Sequence, residues 1–183
     1  MRAAIGYTLY GLFAIAAIGL VGWHLRPLDH LAIALALTLL CADQGRMALA
    51  DLSNIAKVSQ QLENGQATAR FSVITWITIV LELLGFYLAW LQLGLGTALV
   101  LSSQLFFNTA ATVQLYPGCP EPVQAFGLQE RYPVLIANTV ALGLVAIWQA
   151  GYLRPIMAGL SLAMVLTYLA IKYSASKPSV KPQ

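Results

Sequence analysis

Charge is what this sequence has least of. Asp, Glu, Lys and Arg together make up 9% of its 183 residues, against roughly 25% in an average soluble domain. Hydrophobic residues account for 59%. A water-soluble fold of this length needs far more polar surface. The solvent such a chain matches is lipid, in which apolar side chains face outward. Cysteine is nearly absent: Cys41 and Cys119 form no CxxC and fall in different segments, which excludes a disulfide framework. Histidine is limited to His24 and His30. With Asp29 beside them they lack a third strong ligand, so interfacial or capping roles are expected and no metal. Neither histidine lies deep in a span, which excludes bis-histidine haem, and no cofactor is expected. The net charge is +3, yet the basic residues form no cluster, so nucleic acid is not an expected partner. Also missing are a phosphate-binding glycine loop, HExxH, GxSxG and any nucleophile-base-orienter set. An enzyme reading is left without a chemical centre; the Cys119 thiol in "PGCPEP" has no paired base.

Long apolar runs are what the chain does have. Crossing a hydrocarbon core about 30 Å thick takes roughly 20 helical residues. Six segments qualify, at about 3–23, 29–49, 71–91, 95–115, 133–152 and 155–173. The first follows Arg2 and is too long for a signal-peptide core, so it reads as a first spanning helix. The breaks have local causes. Pro27 disfavours helix at Arg26. Asn64-Gly65 is a helix stop. "LQLGLG" (91–96) reads as a tight glycine turn, "YPGCPEPVQAFGLQERYP" (116–133) as the long non-helical loop, and "GYLRP" (151–155) as the last break. The expected fold is all-α: a polytopic membrane bundle of six transmembrane helices in three hairpins, forming one domain over residues 1–173. The tail, 174–183, is expected to be a short disordered basic segment.

Basic residues orient this arrangement. With both termini inside, Arg2, Arg46, Lys57, Arg70, Arg131, Lys172, Lys177 and Lys181 fall on the inner side. Only Arg26 and Arg154 fall outside, the bias the positive-inside rule describes. Trp23, Trp90 and Trp148 all come near the outer ends, where an indole at headgroup level keeps its N–H wet. "LRPL" (25–28) and "LRPI" (153–156) recur at two outer turns, a faint hint of an internal repeat. The expected location is a bacterial plasma membrane or an equivalent internal membrane. The bilayer is the first partner, and other membrane subunits or further copies of the chain are the next.

The second segment departs from a plain span. At 100° per residue, Asp43, Arg46, Ala50, Asn54, Lys57 and Gln61 fall within about 80° of one another. Cys41, Ala48, Leu49, Leu52, Ile55 and Leu62 occupy the other side. The helix is therefore expected to run on to about residue 62, as an amphipathic extension on the inner side. Arg46, Asn54 and Lys57 form its polar stripe. Asp43 and Arg46, three residues apart, can pair, and Arg46 can reach the headgroups.

Glu82, near the middle of the third segment, carries the most information. A carboxylate at mid-bilayer costs several kcal/mol, so it turns inward and finds partners. Thr75, Thr78, Glu82, Gly85 and Ala89 make a stripe of small and polar residues, the kind that lets helices approach closely. Gln104 and Asn108 on the next segment lie at similar depth, with Asn138 and Asp43 nearer the inner side. These five are the candidate solute- or proton-binding residues, with Glu82 expected to be neutral and held by the amides. Such a cluster points to a small transporter or a membrane-embedded solute-binding subunit. A non-catalytic structural or assembly subunit of a larger membrane complex is the alternative.

Overall fold

The computed structural model describes residues 2–61 and 65–175. Its helices are α1 (Arg2–Trp23), α2 (Leu28–Gln61), α3 (Gln66–Leu91), α4 (Leu93–Ala110), α5 (Leu128–Gln149) and α6 (Arg154–Ala175). Between α4 and α5 lie two short strands, β1 (Val113–Leu115) and β2 (Val123–Ala125). All six helices are long and apolar enough to cross a membrane, compatible with a multi-pass membrane protein. Leu62, and the tail from Ser176 onward, lie outside the described residues. Ser174 and Ala175, expected in the tail, are the last residues of α6.

α2 is the central element. It packs against α1, α3, α4, α6 and β1. Its 34 residues span about 50 Å at 1.5 Å per residue, longer than the apolar thickness of a bilayer. The upper part belongs to the main core, where Ile33 and Leu37 meet Phe13, Leu20 and Phe86. The lower part stays helical because its apolar side finds a second core: Val58 is fully buried, with Ile55, Phe71, Ile74 and Leu115 around it. Arg46, Lys57 and Gln61 on the opposite side are exposed. Asn54 is half-buried.

α3 and α4 are joined by Gln92 alone. So short a link works because the facing residues are small. A Cβ on Gly85 would lie 2.7 Å from Val100 Cγ2 and 3.0 Å from Gly96 O. One on Gly96 would fall inside contact distance of the Ala89 backbone nitrogen.

The region after α4 differs from the expected continuous helix to 115. α4 ends at Ala110 and Val113–Leu115 pairs antiparallel with Val123–Ala125. Three prolines, Pro117, Pro120 and Pro122, make extended chain the easier state for the residues before them, and Gly118 supplies a positive φ of 85° at the bend. Leu115 is then buried under Val58 and Phe71. α5 in turn begins five residues earlier than expected. Pro133 sits inside it, close enough to the N-terminus that few helix bonds are lost.

At the end of the bundle opposite β1 and β2, the α1–α2 turn meets α3 and α6. His24 Nε2 lies 2.8 Å from Ala89 O. Arg154 pairs with Asp29 at 3.0 Å and its guanidinium donates to His30 Nε2 at 2.6 Å. The Trp148 indole N–H donates to Asp29 at 2.9 Å. This corrects the expectation of an interfacial indole at 148, since Trp148 is 3% exposed. Trp90 likewise donates inward, to Ala16 O. Trp23 is exposed. A buried N–H needs a partner, and for two of the three tryptophans the protein supplies it.

Candidate solute cavity

α3 turns its small and polar stripe inward. Thr75, Thr78, Glu82, Gly85 and Ala89 are all buried, while Ile77 and Leu84 on the far side are exposed. The threonine hydroxyls are committed locally: Thr75 donates to Phe71 O and Thr78 to Ile74 O, each at 2.9 Å. Their remaining lone pairs can only accept. One turn further on, Glu82 is 2% exposed, and its Oε1 has no hydrogen-bond partner. The inward wall of α3 thus presents two hydroxyl oxygens that can only accept, and beyond them the Glu82 carboxyl.

That row faces a cavity of about 290 Å³ between α2, α3, α4, α5 and α6. Phe71, Ile79, Leu101, Ala141 and Val165 give it largely apolar walls. Gln104 and Asn138 line it and are buried, yet Gln104 Nε2 and Asn138 Nδ2 have no partner. The amide clamp expected on Glu82 does not form at these atoms. Four buried polar groups on three helices, Arg131 Nε among them, converge on one space while leaving hydrogen-bonding capacity unused. Buried polar atoms are normally satisfied by protein or ordered water, so such a set belongs to a space that something else occupies.

Asn108 also lines the cavity, but it is committed elsewhere. Its Nδ2 donates to Gln104 O at 2.8 Å, and its Oδ1 accepts from Arg131 at 3.2 Å. Arg131, expected in the long loop, lies within α5. It is 6% exposed, its guanidinium over the rings of Phe126 and Phe107 at 4.8 and 5.5 Å. The early start of α5 places this residue inside a helix and turned toward α4.

Asp43 does not line the cavity. It is buried one layer behind it, with Lys172 from α6 at its Oδ2, the Tyr173 hydroxyl at 2.9 Å and Arg46 at 3.4 Å. The Tyr168 hydroxyl, 3.5 Å away, belongs to a residue that lines the cavity. Asp43 is therefore the anchor of a polar knot between α2 and α6. The anticipated Asp43–Arg46 pair is its weaker, half-exposed edge.

The α2 wall holds residues that were not among the candidate site residues. Gln44, Met47, Ala48 and Asp51 line the cavity, and their i, i+3, i+4, i+7 spacing is one helical face. That periodicity was available from the sequence; the more conspicuous Asp43–Arg46 pair obscured it. Asp51 and Arg131 share the cavity lining without a direct ion pair. Among the described residues no group of His, Cys, Asp and Glu is arranged to hold a metal ion. Cys41 is buried and Cys119 exposed, both as free thiols. Compared with known protein families, curated proteins and solved structures, the chain matches none of them.

Proposed function

We propose that this chain is a small membrane transporter or membrane-embedded solute-binding subunit, with its solute site in the cavity beside Glu82. The observation that carries the reading is the set of unpartnered, buried polar atoms from α3, α4 and α5 in one largely apolar space. Such a space has the composition of a small-molecule site: apolar walls and a few polar groups to fix orientation. Closing it tests the reading. Ala141 is 7% exposed and lines the cavity, so Ala141→Trp is expected to fill it. Solutes that raise the melting temperature of the wild-type chain should lose that effect in the variant. A broad screen in which no solute stabilises the wild type, or in which both proteins respond alike, would favour a structural or assembly subunit instead.

The same proposal includes the orientation: three hairpins, with both termini and the β1–β2 segment inside. Support comes from the excess of Lys and Arg on that side and from the contacts that tie the α1–α2 turn to Ala89 and Arg154. A cysteine introduced at Tyr152 is expected to react with an impermeant maleimide added from outside intact cells, and a reporter fused after Gln183 to work only in the cytoplasm. Labelling of position 152 solely after permeabilisation would reverse the orientation.

A further inference from the structure

We propose that the cavity takes a small amphipathic monocation, a primary ammonium on an apolar body, with Glu82 exchanging its proton for the ammonium. This rests on the solute-site reading above and names the class of solute.

The chemistry of the walls selects the charge. Along α3, Thr75 and Thr78 have spent their protons on their own helix, and Glu82 offers a free oxygen. The wall is complementary to a group that donates several hydrogen bonds, and an ammonium donates three. The other charged groups in the lining are Asp51 and Arg131, one of each sign. Arg131 already stacks on two rings and donates to Asn108. Glu82 makes no ion pair among the described residues. Its Oε1 is the one carboxyl oxygen in the lining that is fully buried with no hydrogen-bond partner among the described residues. An anionic solute would meet two acids, Asp51 and Glu82, against one arginine, of which only Nε is unspent. A neutral solute would donate fewer hydrogen bonds to this row of oxygens than an ammonium and would bring no charge to pair with a Glu82 carboxylate.

The remaining groups around Glu82 do not supply a cation either. Asp51 and Tyr168 share the lining with Glu82, Cys41 and Asp43 are buried on α2 outside that lining, and Lys172 is held by Asp43. Size follows from volume. About 290 Å³ lies at the small end of the roughly 300–1,000 Å³ of small-molecule sites, which suits an aryl-alkyl or short branched-alkyl amine. The apolar walls take the body, and the Gln104 and Asn138 amides, whose two ends can exchange by rotation, adapt to whatever polar atom the body carries.

The exchange balances. A protonated primary amine arrives from water as the ammonium, and the Glu82 carboxyl gives up its proton to water. The ion pair of the Glu82 carboxylate and the ammonium remains in the cavity. One proton leaves for each cation bound, and the cavity carries the same charge before and after. This is why the occupied and the empty states are both tolerable in a low-dielectric bundle.

The test is isothermal titration of the full chain in lipid nanodiscs with three probes of one shape: 2-phenylethylammonium, 2-phenylethanol and 3-phenylpropanoate. The ammonium is expected to bind at least tenfold tighter than the alcohol, and the propanoate not measurably. Titration in two buffers of different ionisation enthalpy should give about one proton released per ammonium. Glu82→Gln should lose both the tenfold preference and the proton release while still binding the alcohol. Equal binding of alcohol and ammonium, a preference for the propanoate, or ammonium binding without proton release overturns the proposal but leaves a solute site in place. No binding of any probe also overturns it, and the wider solute screen then decides the broader reading. Binding that persists unchanged in Ala141→Trp removes the cavity from both. If Glu82→Gln does not fold, the wild-type preference and proton count still decide.

Discussion

Gly96→Ala is expected to unfold at a far lower temperature than the wild-type chain, although it adds a single methyl group. The reason is what that methyl meets. Its Cβ would overlap the backbone nitrogen and Cα of Ala89 on α3, and backbone cannot rotate aside as a side chain can. Overpacking typically costs about 1–3 kcal/mol. A clash with main chain across a one-residue link belongs at or above the upper end, about 3 kcal/mol. The control is Gly143→Ala on α5, where an added Cβ finds nothing within 4 Å. There the better helix propensity of alanine should hold or slightly raise stability, by about 0.5 kcal/mol. Thermal unfolding of both variants in one detergent decides the matter. Equal melting temperatures would mean that α3 and α4 do not approach this closely.

The second large effect is expected at the polar knot between α2 and α6. Lys172→Met removes the nearest cation from a carboxylate whose side chain is 1% exposed. Breaking a buried pair by removing one partner costs about 3–5 kcal/mol, because the other charge stays buried. The low end, about 3 kcal/mol, applies here. Arg46 and the Tyr173 and Tyr168 hydroxyls stay on Asp43, and Lys172 itself is 22% exposed. The double variant Asp43→Asn, Lys172→Met should recover most of the loss, since no charge is then stranded. A double-mutant cycle by denaturant titration is expected to give a coupling of roughly 2 kcal/mol. Additive losses would mean that the two residues contribute separately. Tyr168 connects this knot to the cavity wall, so the cycle also measures how firmly that wall is held.

Both sites lie outside the residues that make the proposed solute cavity, and they separate two uses of polar groups in one bundle. At Asp43 a buried carboxylate is surrounded by donors and serves packing. At Glu82 a buried carboxyl faces open space with an oxygen unused. In lipid, where an unsatisfied polar group is costly, the second arrangement is the one that calls for an occupant.

Helix number, approximate bounds and inward faces were legible along the chain, because each depends on neighbours within a few turns. Apolar runs of about 20 residues set the spans, and Pro27, Gly65 and the 151–155 turn end them where local conformation demands. The buried stripe from Thr75 to Ala89 and the amphipathic continuation of α2 followed from a 3.6-residue period alone. What a helix face meets is a different matter. Asp43 finds Lys172, 129 residues away, and Trp148 finds Asp29, 119 residues away. Arg131 turns from an expected loop residue into part of a cavity wall because α5 starts early and leans on α4. Val113–Leu115 continues the apolar pattern of α4, yet becomes a strand because burying Leu115 beneath Val58 is better served by extended chain. Periodicity fixes the direction a side chain leaves its own axis, whereas partners, cavities and unmet hydrogen bonds depend on how several axes are rotated and spaced around one another, and only the packed bundle decides that.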